Sequence, residues 1–173
     1  MRRFGLLIAA VLFSMAAWAQ QYDADFTQTR LMKVSGKTTT LHGHITYDGN
    51  DQLSMLYSDP EGDYFIIEGS QVKINLLKKK ADLNAEKVKA VQLQRSTLLN
   101  CLSGKWEQAA AENNAETAVS ENGGFRNILL QTKGKAPRGG YSSVDLTYRI
   151  SDGLLVKMIL EEAGGVINTY EIE

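Results

Sequence analysis

Cysteine is almost missing from this chain of 173 residues. The single Cys101 cannot form an intramolecular disulfide, so packing alone must hold the fold. A free cysteine most often behaves as a small buried hydrophobe, and Cys101 is read that way. It also lies far from residue 20, where a lipid-anchored protein would carry its modified cysteine. Histidine is scarce too. His42 and His44 stand two apart with no cysteine or acidic residue at a recognisable ligand spacing, so no metal site is expected. Serines occur, but none sits in a nucleophile elbow. The glycine pairs 123–124, 139–140 and 164–165 fall where turns are expected and lack the strand-to-helix context of a phosphate loop. With no catalytic constellation, the chain is not expected to be an enzyme or to need a cofactor.

An excess of positive charge is also lacking. Of 19 basic residues, Arg2 and Arg3 belong to the extreme N-terminus, and the remaining 17 against 20 acidic ones give a net charge near −3. That offers no footprint for nucleic acid. The run Lys78 to Lys80 reads as a solvated turn. Long apolar runs are absent except at the start, where Arg2 and Arg3, the apolar stretch Leu6 to Phe13 and the small-x-small sequence Ala17, Trp18, Ala19 have the form of a secretory signal peptide. Residues 1–19 are therefore expected to be cleaved. The apolar stretch is shorter than the roughly 18 to 20 residues that span a bilayer, so the mature protein is expected to be soluble and exported. Residues 20–173 suffice for one domain with a real core.

What is present is a succession of short, alternating apolar runs. From Leu53 to Leu77, three of them are separated only by turn signals: Leu53 to Tyr57, Tyr64 to Ile67 and Val72 to Leu77. Asp59, Pro60 and Gly62 break the first pair, and Glu68 and Gly69 the second, which reads as an antiparallel meander. Leu53, Met55 and Tyr57 share one face, as do Val72, Ile74 and Leu76, so the sheet would present an apolar wall. Two further strands precede it. Phe26 to Met32 is one; Thr38 to Tyr47 is the other, with Leu41, Gly43, Ile45 and Tyr47 on one face and His42, His44 and Thr46 opposite.

The period then changes. Asp82 to Ala111 contains no proline and only Gly104 as a breaker, and Val88, Val91, Leu98, Leu102 and Trp106 recur at helical spacing, with Leu99 beside them. One or two helices are expected, with Asp82 as N-cap and Gly104 as a stop or kink. Set between two blocks of strands, they would lie across the open apolar face. Glu112 to Gly124 reads as a polar loop interrupted by a short turn or strand near Thr117 to Val119. Strands resume at Phe125 to Thr132, Tyr141 to Ile150, Leu154 to Glu162 and Val166 to Ile172, with a hairpin at Asp152 and Gly153. Val144, Leu146, Tyr148 and Ile150 are the inward candidates on one strand; Leu154, Val156, Met158 and Leu160 are those on the next.

The run FTQTR near the mature N-terminus, then GHITYDG, DPEGDYFIIEGSQVKI, a helical insertion and VDLTYRISDGLLVKMILEEAGGVINTYEIE resembles the LolA family of periplasmic lipoprotein carriers. Phe26, Thr27 and Gln28 match its FTQ strand start, Pro60 its proline after the third strand, Glu68 and Gly69 the motif before the fifth, and the pair ending at Thr169 its late hairpin. The resemblance implies a mainly β (α+β) fold, a curved antiparallel half-barrel of about nine to eleven strands covered by a helical lid. Only Gln20 to Asp25 precede Phe26, so a reduced lid is expected. NDQLSMLY replaces the family's arginine-containing motif, so no gating arginine is carried over.

The resemblance further implies an apolar cavity that shields the acyl chains of lipoproteins on their way to the outer membrane. Each buried methylene contributes about 0.8 kcal/mol, so one 16-carbon chain forfeits about 12 kcal/mol when left in water. The inner face would offer Leu41, Ile45 and Tyr47, Met55 and Tyr57, Ile74 and Leu76, Leu146 and Tyr148, and Val156 and Met158, while Leu98, Leu102 and Trp106 would come from the lid. The partners implied are acylated lipoproteins or other lipids, an inner-membrane donor complex and an outer-membrane acceptor, with the protein a monomer in the periplasm. Two other readings fit the same residues. One is a carrier of a different amphiphile, such as a glycolipid or lipid-linked intermediate; the other is an envelope interaction module whose concave face is filled.

Overall fold

The structure, a computed structural model, describes residues 20–173. The segment read as a signal peptide lies outside the described residues. The first strands are β1 (Tyr22–Met32), β2 (Lys37–Tyr47), β3 (Gln52–Asp59), β4 (Glu61–Glu68), β5 (Gln71–Leu76) and β6 (Lys79–Asn84). Helices α1 (Lys89–Leu102) and α2 (Trp106–Glu112) follow, and β7 (Ala115–Asn122), β8 (Phe125–Thr132), β9 (Tyr141–Arg149), β10 (Leu155–Glu162) and β11 (Val166–Ile172) complete the chain. Together the strands form one 11-stranded antiparallel sheet in the order β6-β5-β4-β3-β2-β1-β11-β10-β9-β8-β7. This is the curved, open sheet with a helical cover that the sequence implied.

The strand order explains where the helices go. From β1 in the middle of the sheet the chain meanders outward to one edge, β6. It must then reach the opposite edge, β7, before meandering back to the middle. The helices are that connection, and their apolar side chains can be buried only by crossing the inner face. Leu99, Cys101, Leu102, Ala109 and Ala110 do so, joining one core cluster with Phe26, Leu41, Ile45, Leu53, Leu146 and Leu155 from the strands. Side chains such as Leu102 and Leu146 are 1% and 0% exposed, and full burial of each contributes about 1.5–3 kcal/mol. Cys101 is wholly enclosed, and burial pushes its thiol up to about 12, so it is no nucleophile at neutral pH.

Several boundaries differ from those expected. Lys79 and Lys80 belong to strand β6 rather than a turn, because a tight turn at Leu77 and Lys78 folds the chain back onto β5. Both turn residues have positive φ, 51° and 67°, the conformation that two-residue hairpin turns require. Asp82 consequently lies inside β6 and caps nothing; α1 starts after Val88, which offers no side-chain cap. The stretch expected as a loop contains β7, an edge strand paired along its length with β8. Ile150 lies past the end of β9 and is exposed, not inward. On β10 the register shifts between Leu155 and Lys157, so Leu155 takes the buried place and Val156 sits at the bulge, outside the core cluster.

On the outer face, His44 stands between two carboxylates, with Nδ1 2.7 Å from Asp25 Oδ1 and Nε2 2.7 Å from Asp23 Oδ1. Only an imidazolium donates from both nitrogens, and the hydrogen bond to Asp25, then that to Asp23, raises its pKa above the ordinary histidine range. A histidine raised in this way stabilises the fold fully below its unfolded pKa, and the contribution fades as pH rises through the folded value. In an NMR titration His44 should protonate above the usual histidine value, and Asp25→Asn should bring its midpoint down. An unchanged midpoint in that variant would rule out the bridge.

Candidate functional site

The alternation on β3 and β5 puts Met55, Tyr57, Ile74 and Leu76 on the inner face, with Phe65 of β4 and Leu83 of β6 beside them. From above, Val91 and Leu98 of α1 close the space, and the whole encloses a cavity of about 210 Å³. This volume falls below the roughly 300–1,000 Å³ of common small-molecule pockets, though it exceeds the roughly 150 Å³ apolar hole that takes a benzene-sized guest.

The helix over the cavity is held unevenly. Its buried residues, Thr97, Leu99, Asn100, Cys101 and Leu102, all lie in the second half of α1. There the orphan carbonyls of the last turn are satisfied from the sheet, since the Tyr148 hydroxyl donates to Cys101 O at 2.6 Å and the Tyr22 hydroxyl to Leu102 O at 3.2 Å. Asn113 ties the two helices together, its Nδ2 donating to Thr97 Oγ1 at 2.8 Å. The first half has no capping side chain and no acidic residue in its first turn. Its tether to the sheet is Arg95, whose Nε donates to Gly69 O at 2.6 Å. Val91, Gln94 and Arg95 of this stretch line the cavity, together with Leu98 at the start of the pinned half. The lid is thus pinned at one end, while its first half is held by the Arg95 hydrogen bond and by Ala90 packed against Gly139, where an added Cβ would lie 2.5 Å from Ala90 O; lifting that half would widen the cavity.

The wall toward the middle of the sheet is polar. Gln28 and Arg30 of β1 face inward beside Asn168 and Tyr170 of β11, the register setting Gln28 opposite Tyr170 and Arg30 opposite Asn168. The Tyr57 hydroxyl donates to Gln28 Oε1 at 2.6 Å, and Gln28 Nε2 donates to Asn168 Oδ1 at 3.1 Å. The same Asn168 oxygen accepts from Arg30 Nη1 at 3.3 Å, while Asn168 Nδ2 donates to Glu162 Oε1 at 3.0 Å. An amide therefore separates the guanidinium from the carboxylate. Glu162 pairs across strands with Tyr141, which also lines the cavity. Burial pushes the hydroxyls of Tyr57, Tyr141 and Tyr170 above their ordinary range, so all three remain protonated donors at any physiological pH.

Of the residues proposed from sequence, Met55, Tyr57, Ile74, Leu76 and Leu98 are brought together around the cavity. Leu41, Ile45, Leu102, Leu146 and Met158 instead pack in the solid core. Tyr47 and Tyr148 lie in that core with their hydroxyls bonded to Asn50 O and Cys101 O. Trp106 lines a separate crevice with Gln20, Arg126 and Arg149, and Val156 is away from both. Sequence reasoning missed the polar wall, although a signal existed: Gln28 and Arg30 continue the inward parity of Tyr22 and Phe26. Among the described residues no cluster of histidine, cysteine, aspartate and glutamate could hold a metal ion. Nor is any described helix long and apolar enough to cross a membrane.

No family model matches the chain, and no curated protein matches it in sequence. Solved structures do. One is a LolA superfamily protein from Nitrosomonas europaea, 8% identical, covering 90% of this chain and 84% of its own, with a TM-score of 0.40. Another is the lipoprotein LppX of Mycobacterium tuberculosis, 11% identical, covering 91% and 87%, with a TM-score of 0.37. The MucA/MucB complex of Pseudomonas aeruginosa gives 13% identity over 90% of this chain and 52% of that one, with a TM-score of 0.46. The LolA superfamily, which the sequence resembles, is thus represented among the solved structures similar to this chain.

Proposed function

We propose that the protein is a carrier of acylated cargo, lipoproteins first, which hides acyl chain between sheet and lid while the cargo crosses the periplasm. The observation that carries this reading is the apolar cavity under α1, lined by Met55, Phe65, Ile74, Leu76, Leu83, Val91 and Leu98. A non-directional wall of this kind shields a chain without specific bonds, and Met55 lets it adapt to chains of different shape. The cavity in its closed form has room for part of one chain. Lifting the first half of α1 supplies the rest. No catalytic step is required. The signal-like residues 2–19 support a periplasmic location, with an inner-membrane donor and an outer-membrane acceptor as partners and the carrier itself a monomer.

Native mass spectrometry of the protein purified from the periplasm without detergent, followed by solvent extraction, tests this. A bound acylated species is the expected result and would identify the cargo. A clean unliganded mass, unchanged after incubation with lipoproteins and free lipids, would overturn it in favour of an envelope interaction module.

A further inference from the structure

We infer that the end of the sheet at which the cavity lies docks on a lipid bilayer carrying anionic headgroups, with Val34 and Leu77 as the side chains that enter the interface. This goes beyond the carrier reading and does not depend on what fills the cavity.

The register gathers several chain connections at that end. They are the β1–β2 turn after Met32, the β3–β4 turn at Pro60, the β5–β6 turn at Leu77 and Lys78, the β8–β9 loop from Lys133 to Gly140, and the β10–β11 turn from Ala163 to Gly165. Lys33 N donates to Gly165 O at 2.9 Å, which ties two of them together. The cavity sits directly inside. Its lining includes Arg30, Leu76, Tyr141 and Glu162, each at or near a strand end that meets one of these connections.

Neither apolar tip has the composition of a turn made for water. Val34 is 93% exposed in its hairpin turn. Leu77 is exposed too and takes a φ of 51°, a conformation that glycine or asparagine adopts at lower cost than a branched side chain. Cations surround both. Lys37, Lys78, Lys79, Lys80, Lys135 and Arg138 are exposed at this end and make no salt bridge among the described residues, whereas Lys33 and Lys133 are paired with Glu161 and Glu116. The opposing acids are Asp59, Glu61 and Asp63 around the β3–β4 turn, and Asp63 accepts from the Leu77 N–H at 2.7 Å. This end is therefore positive although the protein as a whole is negative. Screening limits charge interactions to about 10 Å at 0.1 M salt, so an approaching surface meets the local excess and not the total. Exposed apolar tips ringed by lysine suit a bilayer interface, where the apolar side chains enter the headgroup layer and the ammonium groups stay at its anionic surface. The β8–β9 loop also touches the lid through Gly139 and Ala90, so docking brings the first turn of α1 to the lipid.

Sedimentation with vesicles tests this, using phosphatidylcholine alone and phosphatidylcholine with about one-third phosphatidylglycerol. The wild-type protein should bind the anionic vesicles about tenfold or more tighter than the neutral ones at about 0.1 M salt, and lose most of that margin at about 0.5 M. Each basic residue near such a surface contributes about fivefold in affinity, so Lys135→Glu should weaken binding to anionic vesicles about tenfold or more. Lys105 lies in the turn between the helices, at the opposite end, where Tyr22 and Tyr148 hold the last turn of α1. Lys105→Glu makes the same charge change there and should stay within about twofold of wild type. Val34→Ser has no packing to lose, so it should weaken vesicle binding several-fold with an unchanged thermal midpoint. Equal binding to neutral and anionic vesicles, no binding to either, or equal losses in Lys135→Glu and Lys105→Glu would overturn the docking. Native mass spectrometry reads the carrier separately. Bound acyl cargo without vesicle binding would sink the docking alone, and vesicle binding by a protein that takes up no lipid would sink the carrier reading alone.

Discussion

Leu98→Asp should weaken acyl binding at least ~100-fold, equivalent to about 2.7 kcal/mol, while the protein stays folded. Leu98 lies on the face of α1 that closes the cavity, opposite the wall made by Ile74 and Leu76, and is half-buried rather than enclosed. In the unliganded protein an aspartate at this half-buried position can keep its carboxylate hydrated. With a chain in place, that hydration is lost. The carboxylate must then be stripped of water against methylenes or the ligand excluded, and an unpaired charge in an apolar site costs several kcal/mol. Leu98→Ala, which removes contact area without adding charge, should lose only a few-fold. Probe titration with the thermal midpoint measured in parallel checks this; near-normal binding by Leu98→Asp would mean that acyl chains enter elsewhere.

Gly43→Val should cost about 3 kcal/mol or more of stability and lower the thermal midpoint by roughly 6–12 °C. Gly43 lies on β2 at the register shift between His42 and Gly43. A Cβ placed there would run into the carbonyl oxygen of Leu56 and come within 2.9 Å of Cε1 of Phe26. Neither neighbour has room to yield. The first is backbone, and the Phe26 ring is 2% exposed and packs edge-on against Tyr57 at 5.2 Å between ring centres. The substitution must therefore bend β2 away from β3 or drive Phe26 out of the core. Gly43→Ala meets the same atoms with less bulk and should fall between wild type and valine. A midpoint within roughly 2 °C of wild type for Gly43→Val would show that the strand shifts freely.

The central meander was legible because two signals coincided, alternation on Leu53, Met55 and Tyr57 and turn residues at Asp59, Pro60, Gly62 and Gly69. Strand β6 was not, since its turn uses Leu77 and Lys78 in place of the Asn-Gly or Asp-Gly pair that announces positive φ. Strand β7 escaped for another reason. As an edge strand exposed along nearly all its length, it buries no alternating face and so leaves no period to read. The bulge at Val156 shifts inward parity by one residue without a compositional trace.

The inner wall divided along a similar line. Apolarity alone marks a residue as inward, but it does not separate Ile45, packed solid, from Ile74, beside a void. That difference depends on how the lid's first turns sit over one side of the sheet. The polar wall depends on β1 meeting β11, a pairing between strands distant in sequence that no local pattern encodes.

That pairing also sets a timetable. β1 and β11 are the first and last strands among the described residues, joined from Phe26↔Ile172 to Met32↔Val166, and in the sheet order they join the two meanders. During synthesis from the N-terminus, β1 to β6 can pair among themselves while β1 keeps one open edge until β11 emerges. Contacts so distant in sequence form slowly, because loop closure must precede their reward. β11 also brings Asn168 and Tyr170 to Gln28 and Arg30, so a chain without it has an unsealed strand and no polar wall to the cavity. Sealing of the sheet and completion of the cavity wall are a single late event, and loss of β11 removes both at once.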